Sequence, residues 1–110
     1  MASQHNSGSQ TATIGTEHFL GTDPDTTTGA FQFVVEINNM ARADRLEIRL
    51  YEKVNDVADT ARQFLLAVIA NEQIDGLWVS PAFLLVIGFR FSIKQTAGTG
   101  RAFQWSIRKA

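Results

Sequence analysis

The stretch that most constrains this chain is its last, Ile87 to Ala110, which reads IGFRFSIKQTAGTGRAFQWSIRKA. Phe89, Phe91 and Ile93 alternate with Gly88, Arg90, Ser92 and Lys94, and Phe103, Trp105 and Ile107 alternate with Gln104, Ser106 and Arg108. Side chains point to opposite sides of a strand in turn, so each segment has one apolar and one polar face. Between them, Thr96 to Gly100 supplies two glycines where a turn needs backbone freedom. The pattern predicts a β-hairpin with the hydrophobes of both strands aimed at one core.

The remaining chain repeats the period. Phe31, Phe33, Val35 and Ile37 share a face, and so do Leu46, Ile48 and Leu50, opposite Arg45, Glu47, Arg49 and Tyr51. Alternating charge on that outer face fits a solvated surface or a polar contact patch. A weaker alternation over Thr13–Thr22, with Ile14, His18, Phe19 and Leu20, predicts another strand. The run from Asp23 to Gly29 reads as a loop, because Asp-Pro starts turns. Asn38–Asp44 and Asn71–Gly76 read as connectors, and Leu77–Ser80 as a short strand closed by Pro81. Phe83–Ile87, apolar on both sides, fits a strand buried on both faces or one lining an interface. Residues 56–73 are ambiguous. Val57, Ala61, Phe64, Leu65, Val68 and Ile69 form a helical stripe behind Asp56 as N-cap, while Phe64, Leu66, Val68 and Ala70 alternate as a strand.

The expectation is an all-β fold, an antiparallel β-sandwich or barrel of jelly-roll-like form with six to seven short strands. At 110 residues one domain is expected, residues 13–110, with residues 1–12 as a flexible N-terminal arm. That segment of Ser, Gln, Asn, Thr and Gly has no hydrophobic anchor to offset its ordering entropy. It reads as a tail, or as an arm that orders against a partner. Eight Phe against one Tyr place most rings in a core or an interface, since Phe has no polar handle.

Chemistry is harder to find. A net charge of −1 lacks the basic footprint of nucleic-acid binding, and the absence of Cys removes thiolate catalysis and disulfides. No apolar run approaches the roughly 20 residues of a membrane helix, and the N-terminus does not read as a signal peptide. His5 and His18 lack metal spacing, and the Asp23-Pro24-Asp25 loop is an incomplete calcium pattern. Ser80 and Ser106 have no nucleophile context. The Gly98-Thr99-Gly100 turn lacks the Lys and helix of a phosphate loop. Glu36 and Glu47, on strands that could be neighbours, sit on outer faces where burial does not tune them. No enzyme, metal or cofactor is expected.

Three stretches together resemble small structural proteins of tailed bacteriophages. They are FVVEINNMARADRLEIRLYEKV (Phe33–Val54), SPAF (Ser80–Phe83) and, most specifically, IKQTAGTGRAFQWSI (Ile93–Ile107). The resemblance covers most of the chain from Phe31 onward and leaves the N-terminal segment out. It implies a virion protein, foremost a capsid decoration or cement protein on the outer head surface, made in the host bacterial cytoplasm and bound to the major capsid protein. A head–tail connector or tail accessory protein is the alternative, and a small carbohydrate- or ligand-binding β-sandwich a further one. The resemblance also implies a strand at 62–70, although FLLAVIAN is more apolar than the family's alternation, which leaves the helix as alternative.

On that reading Gln4, His5, Asn6 and Gln10 of the arm, with Arg90, Lys94, Arg101 and Arg108 of a basic C-terminal edge, are the expected capsid contacts. Trp78, Leu84 and Val86, in a segment with no clear solvent face, are the expected interface of a homo-oligomer, with a trimer favoured.

Overall fold

A computed structural model describes residues 3–55 and 60–110. Among the described residues nine strands follow one another: β1 (Ser3–Thr11), β2 (Glu17–Asp25), β3 (Gly29–Glu36), β4 (Arg45–Glu52), β5 (Arg62–Ala70), β6 (Leu77–Val79), β7 (Phe83–Leu85), β8 (Phe89–Ala97) and β9 (Ala102–Lys109). They form two antiparallel sheets packed as a sandwich. One runs β1-β9-β3, with β6 and β7 sharing the far side of β3, and the other runs β2-β8-β4-β5. Among the described residues there is no helix, so none is long and apolar enough to cross a membrane. The expected fold class holds, with more strands than the six or seven anticipated. Three-residue pieces such as β6 and β7 are too short to show a period.

The alternation has the expected outcome. Phe31, Phe33, Phe89, Phe91 and Phe103 are fully buried, with Leu46, Ile48, Ile93 and Ile107 between them. Phe33 stacks on Phe91 across the two sheets at 4.5 Å between centroids, and Phe31 meets Phe89 at 4.7 Å. Each buried Phe contributes about 1.5–3 kcal/mol, and such ring pairs add about 0.5–1.5 kcal/mol.

Three expectations need correction. The C-terminal stretch is not a hairpin: β8 pairs with β2 and β4, and β9 with β1 and β3. The connector from Gly98 to Arg101 crosses from one sheet to the other, so the two apolar faces look at each other across the core. Sheets stack about 10 Å apart, a gap that four residues at about 3.3 Å each can span. Secondly, the expected arm is an edge strand. β1 runs antiparallel to β9 from Ser3 opposite Lys109 to Thr11 opposite Ala102, with a bulge at His5. Its backbone is what holds it, so its polar composition was no obstacle.

Thirdly, the expected loop at Asp23 begins inside β2, which ends at Asp25 after an irregularity beyond Leu20. Gly21 takes φ +77° there, and Pro24 sits on an edge strand, where a missing N–H costs little. The strand expected at Thr13 starts at Glu17 instead, after a turn closed by Thr16 N–H on the Thr13 carbonyl. The strand expected at 62–70 is present as β5, and the helix kept as its alternative is not. The proposed cap at Asp56 and the stripe position at Val57 lie outside the described residues.

Asn6 approaches Gly21, and His5 approaches Asp25, so the β1 edge of one sheet lies over the β2 edge of the other. The opposite edges, β5 and the β6/β7 pair, therefore share the other flank.

Candidate functional site

The crossover between β8 and β9 is held by buried polar groups. Asp44, 1% exposed, accepts hydrogen bonds from Ala41 N–H (2.9 Å), Thr99 N–H (3.1 Å) and Arg101 Nε (2.9 Å). Gln95, fully buried, donates to the carbonyls of Ala97 and Thr99 and accepts from Arg101 N–H. Gly98 has φ +88°, and a Cβ there would come within 2.7 Å of Asp44 Cα. At Gly100 a Cβ would lie 2.5 Å from the Ala12 carbonyl oxygen. The Lys-Gln-Thr-Ala-Gly-Thr-Gly-Arg segment is thus a structural arch. Arg101, expected to be a capsid contact, donates its Nε to Asp44 and leaves its side chain 30% exposed.

The other expected contacts are dispersed by the same crossover. Arg90 and Lys94 stand on the outside of one sheet and Arg108 on the outside of the other, so no single basic C-terminal edge exists. Arg90 lies over the Phe19 ring at 4.6 Å. Lys94 sits between Glu17 and Glu47 on the neighbouring strands. Gln4 is the cross-strand partner of Arg108, and the two line a shallow polar groove with Ser7, Ser9, Glu36 and Gln104. His5 turns inward instead, its Nε2 2.7 Å from Asp25 Oδ2 and its ring edge-on to Phe31. Asn6 is half-buried beneath Gly21, and Gln10, also half-buried, donates to the Thr11 carbonyl. Of the eight expected contacts, Gln4 and Arg108 share the outer face of one sheet, and Arg90 and Lys94 that of the other.

The outer face of the β2 sheet is more structured than a solvated surface. Glu17 accepts from Tyr51 Oη (2.9 Å) and Ser92 Oγ (2.5 Å), and Arg49 bridges Glu17 to Glu47. Arg49 and Glu47 side chains are only 13% and 15% exposed. Burial raises the Tyr51 phenol above its ordinary value, and the Glu17 carboxylate raises it further. Glu36 stands on the other sheet, so Glu36 and Glu47 do not form a pair. His18 accepts a hydrogen bond from Thr13 N–H. Ser80 is buried, its Oγ accepting from Phe33 N–H at 2.8 Å. Among the described residues no three His, Asp or Glu side chains gather as metal ligands.

The expected oligomer interface divides. Trp78 faces the core, edge-on to Phe33 at 6.3 Å, because it pairs with the inward Val35. Leu84 and Val86 are 80% and 61% exposed. The sequence reading missed other exposed apolar residues, namely Phe64, Leu65 and Val68 of β5 and Leu77 and Val79 of β6. The signal was present in FLLAVIA, which is apolar at both parities on what proves to be an edge.

Neither family models, curated proteins nor solved structures gave a match to this chain.

Proposed function

We propose that this chain is a structural protein of a phage virion that acts by surface contact, foremost a capsid decoration or cement protein bound to the major capsid protein of the head. The observation that carries the reading is the Ile93–Ile107 segment, whose resemblance to phage structural proteins was the most specific in the sequence. The structure is consistent with it in one respect: the motif residues Gln95, Gly98, Gly100 and Arg101 build a crossover that fixes the two sheets of a small sandwich. The face open for capsid contact is the polar groove lined by Gln4, Ser7, Ser9, Gln104 and Arg108. Weak contacts of this kind gain strength on a symmetric lattice through effective concentration.

The test is binding of the purified chain to assembled heads of the parent phage, followed by a heat or low-salt challenge. The expected result is saturable binding at a lattice stoichiometry and a more resistant shell, with binding reduced in Arg108→Glu. Absence of binding to both mature and precursor shells would overturn the decoration reading. Binding confined to a single ring of copies would assign the chain to the connector or tail.

A further inference from the structure

The flank formed by β5, β6 and β7 carries an inference that goes beyond capsid binding. β5 is the last strand of its sheet, with nine residues and no strand on its outer side among the described residues. From Gln63 to Ala70 it contains no charge and no proline, the devices by which edge strands are usually blunted. Both of its faces are apolar. Phe64, level with the inward Leu50, is nonetheless 61% exposed. Leu65 and Val68, level with the outward Arg49 and Glu47, are 46% and 44% exposed. Val79 and Leu84, level with the outward Val34 and Ala30, are exposed on the outer face of the other sheet, which looks the opposite way.

The charges at the two ends of β5, where Glu52 of β4 lies beside Arg62 and Arg45 beside Ala70, are complementary to a second copy of the strand. Arg62 begins the strand, and Glu72 lies two residues past its last, Ala70. Both are exposed. When two identical strands pair antiparallel about a two-fold axis, the Arg62 end of each lies beside the Glu72 end of the other. A parallel pairing would set Arg62 against Arg62. We infer that a second copy of this chain docks on β5, edge to edge and antiparallel, joining the two β2-β8-β4-β5 sheets into one continuous sheet across a two-fold axis. The same axis turns the β6/β7 edges of the two copies toward each other.

The experiment is sedimentation of the full chain from low micromolar to submillimolar concentration, with wild type and four variants. Wild type is expected to pass from monomer to dimer. Leu65→Lys should raise the dissociation constant at least about tenfold. Arg62→Glu and Glu72→Arg should each weaken the dimer, and the double variant should recover most of the loss. Hydrogen exchange on wild type serves where a variant misfolds: the Gln63–Ala70 amides should gain protection as concentration rises. A monomer at every concentration, a trimer, or a dimer indifferent to these changes with β5 amides exchanging as in the monomer would overturn the inference.

Discussion

Asp44→Ala is expected to destabilise the fold by about 3–5 kcal/mol, the scale set by stripping one partner from a buried ionic contact. Asp44 is 1% exposed and holds three donors from two parts of the chain. Without it, the Ala41 and Thr99 amides and the Arg101 Nε lose their shared acceptor, and Arg101 loses its counter-charge. Urea unfolding followed by Trp fluorescence measures the loss. Gly98→Ala should act in the same direction, since its methyl would enter the space of the Asp44 carboxylate at a backbone angle that alanine resists. A loss below about 1 kcal/mol in Asp44→Ala is what an exposed ion pair gives, and it would contradict the arch.

The same carboxylate sets the acid limit. Burial alone would raise the Asp44 carboxyl, but the hydrogen bonds from Ala41, Arg101 and Thr99 outweigh it and hold it below its ordinary value of 3.8. Asp25 follows the same logic: burial raises it, and Thr27 and His5 more than offset that. A carboxyl lowered by folding contributes stability above its unfolded value, and that stability is lost as pH falls through the folded one. Stability should therefore fall away below pH 3.8, and less steeply in Asp44→Asn.

Removal of residues 1–12 is the second large effect. An unstructured arm could be cut without cost, but here the cut removes a whole strand. Gly8 lies against the Trp105 indole, at a distance where an added Cβ would be 3.0 Å from the ring, and Gln10 lies opposite Phe103. Deletion exposes both rings from one side, opens the β9 backbone and removes the His5–Asp25 and Ala12–Arg101 bonds. The expected cost is several kcal/mol out of a total of about 5–15 kcal/mol for a domain. In thermal unfolding the shortened chain should melt tens of degrees lower or fail to fold. An unchanged melting temperature would return residues 3–11 to the status of a tail.

What the sequence made legible was parity. Every side chain of the C-terminal stretch assigned inward, from Phe89 to Ile107, is buried. Partnership was not legible, because a hairpin and a crossover place the same residues inward and differ only in which strand lies alongside. The information that separates them is non-local. Asp44, in a connector more than fifty residues upstream of Gly98, occupies the space inside the turn. β1 escaped for a related reason. It brings backbone and small residues to a sheet whose apolar side chains belong to β9, so its own composition carries no trace of the core it covers. β5 was ambiguous in the opposite sense, with apolar residues at both parities and therefore no period, and its strand was expected from the resemblance alone. The contact residues inherited these errors. Once β9 moved to the other sheet, Arg108 parted from Arg90 and Lys94, and Gln4 became its neighbour.

Which face each residue occupies depends on β8 and β9 lying in different sheets, so that is the arrangement to measure. Cross-strand backbone NOEs on the isotopically labelled full chain report it directly. The structure predicts contacts of Ile93 with Ile48 and His18, and of Trp105 with Gly8 and Val35. Backbone contacts between the Phe91–Ile93 and Phe103–Trp105 segments, in the ladder of a hairpin, would contradict the crossover and the faces built on it.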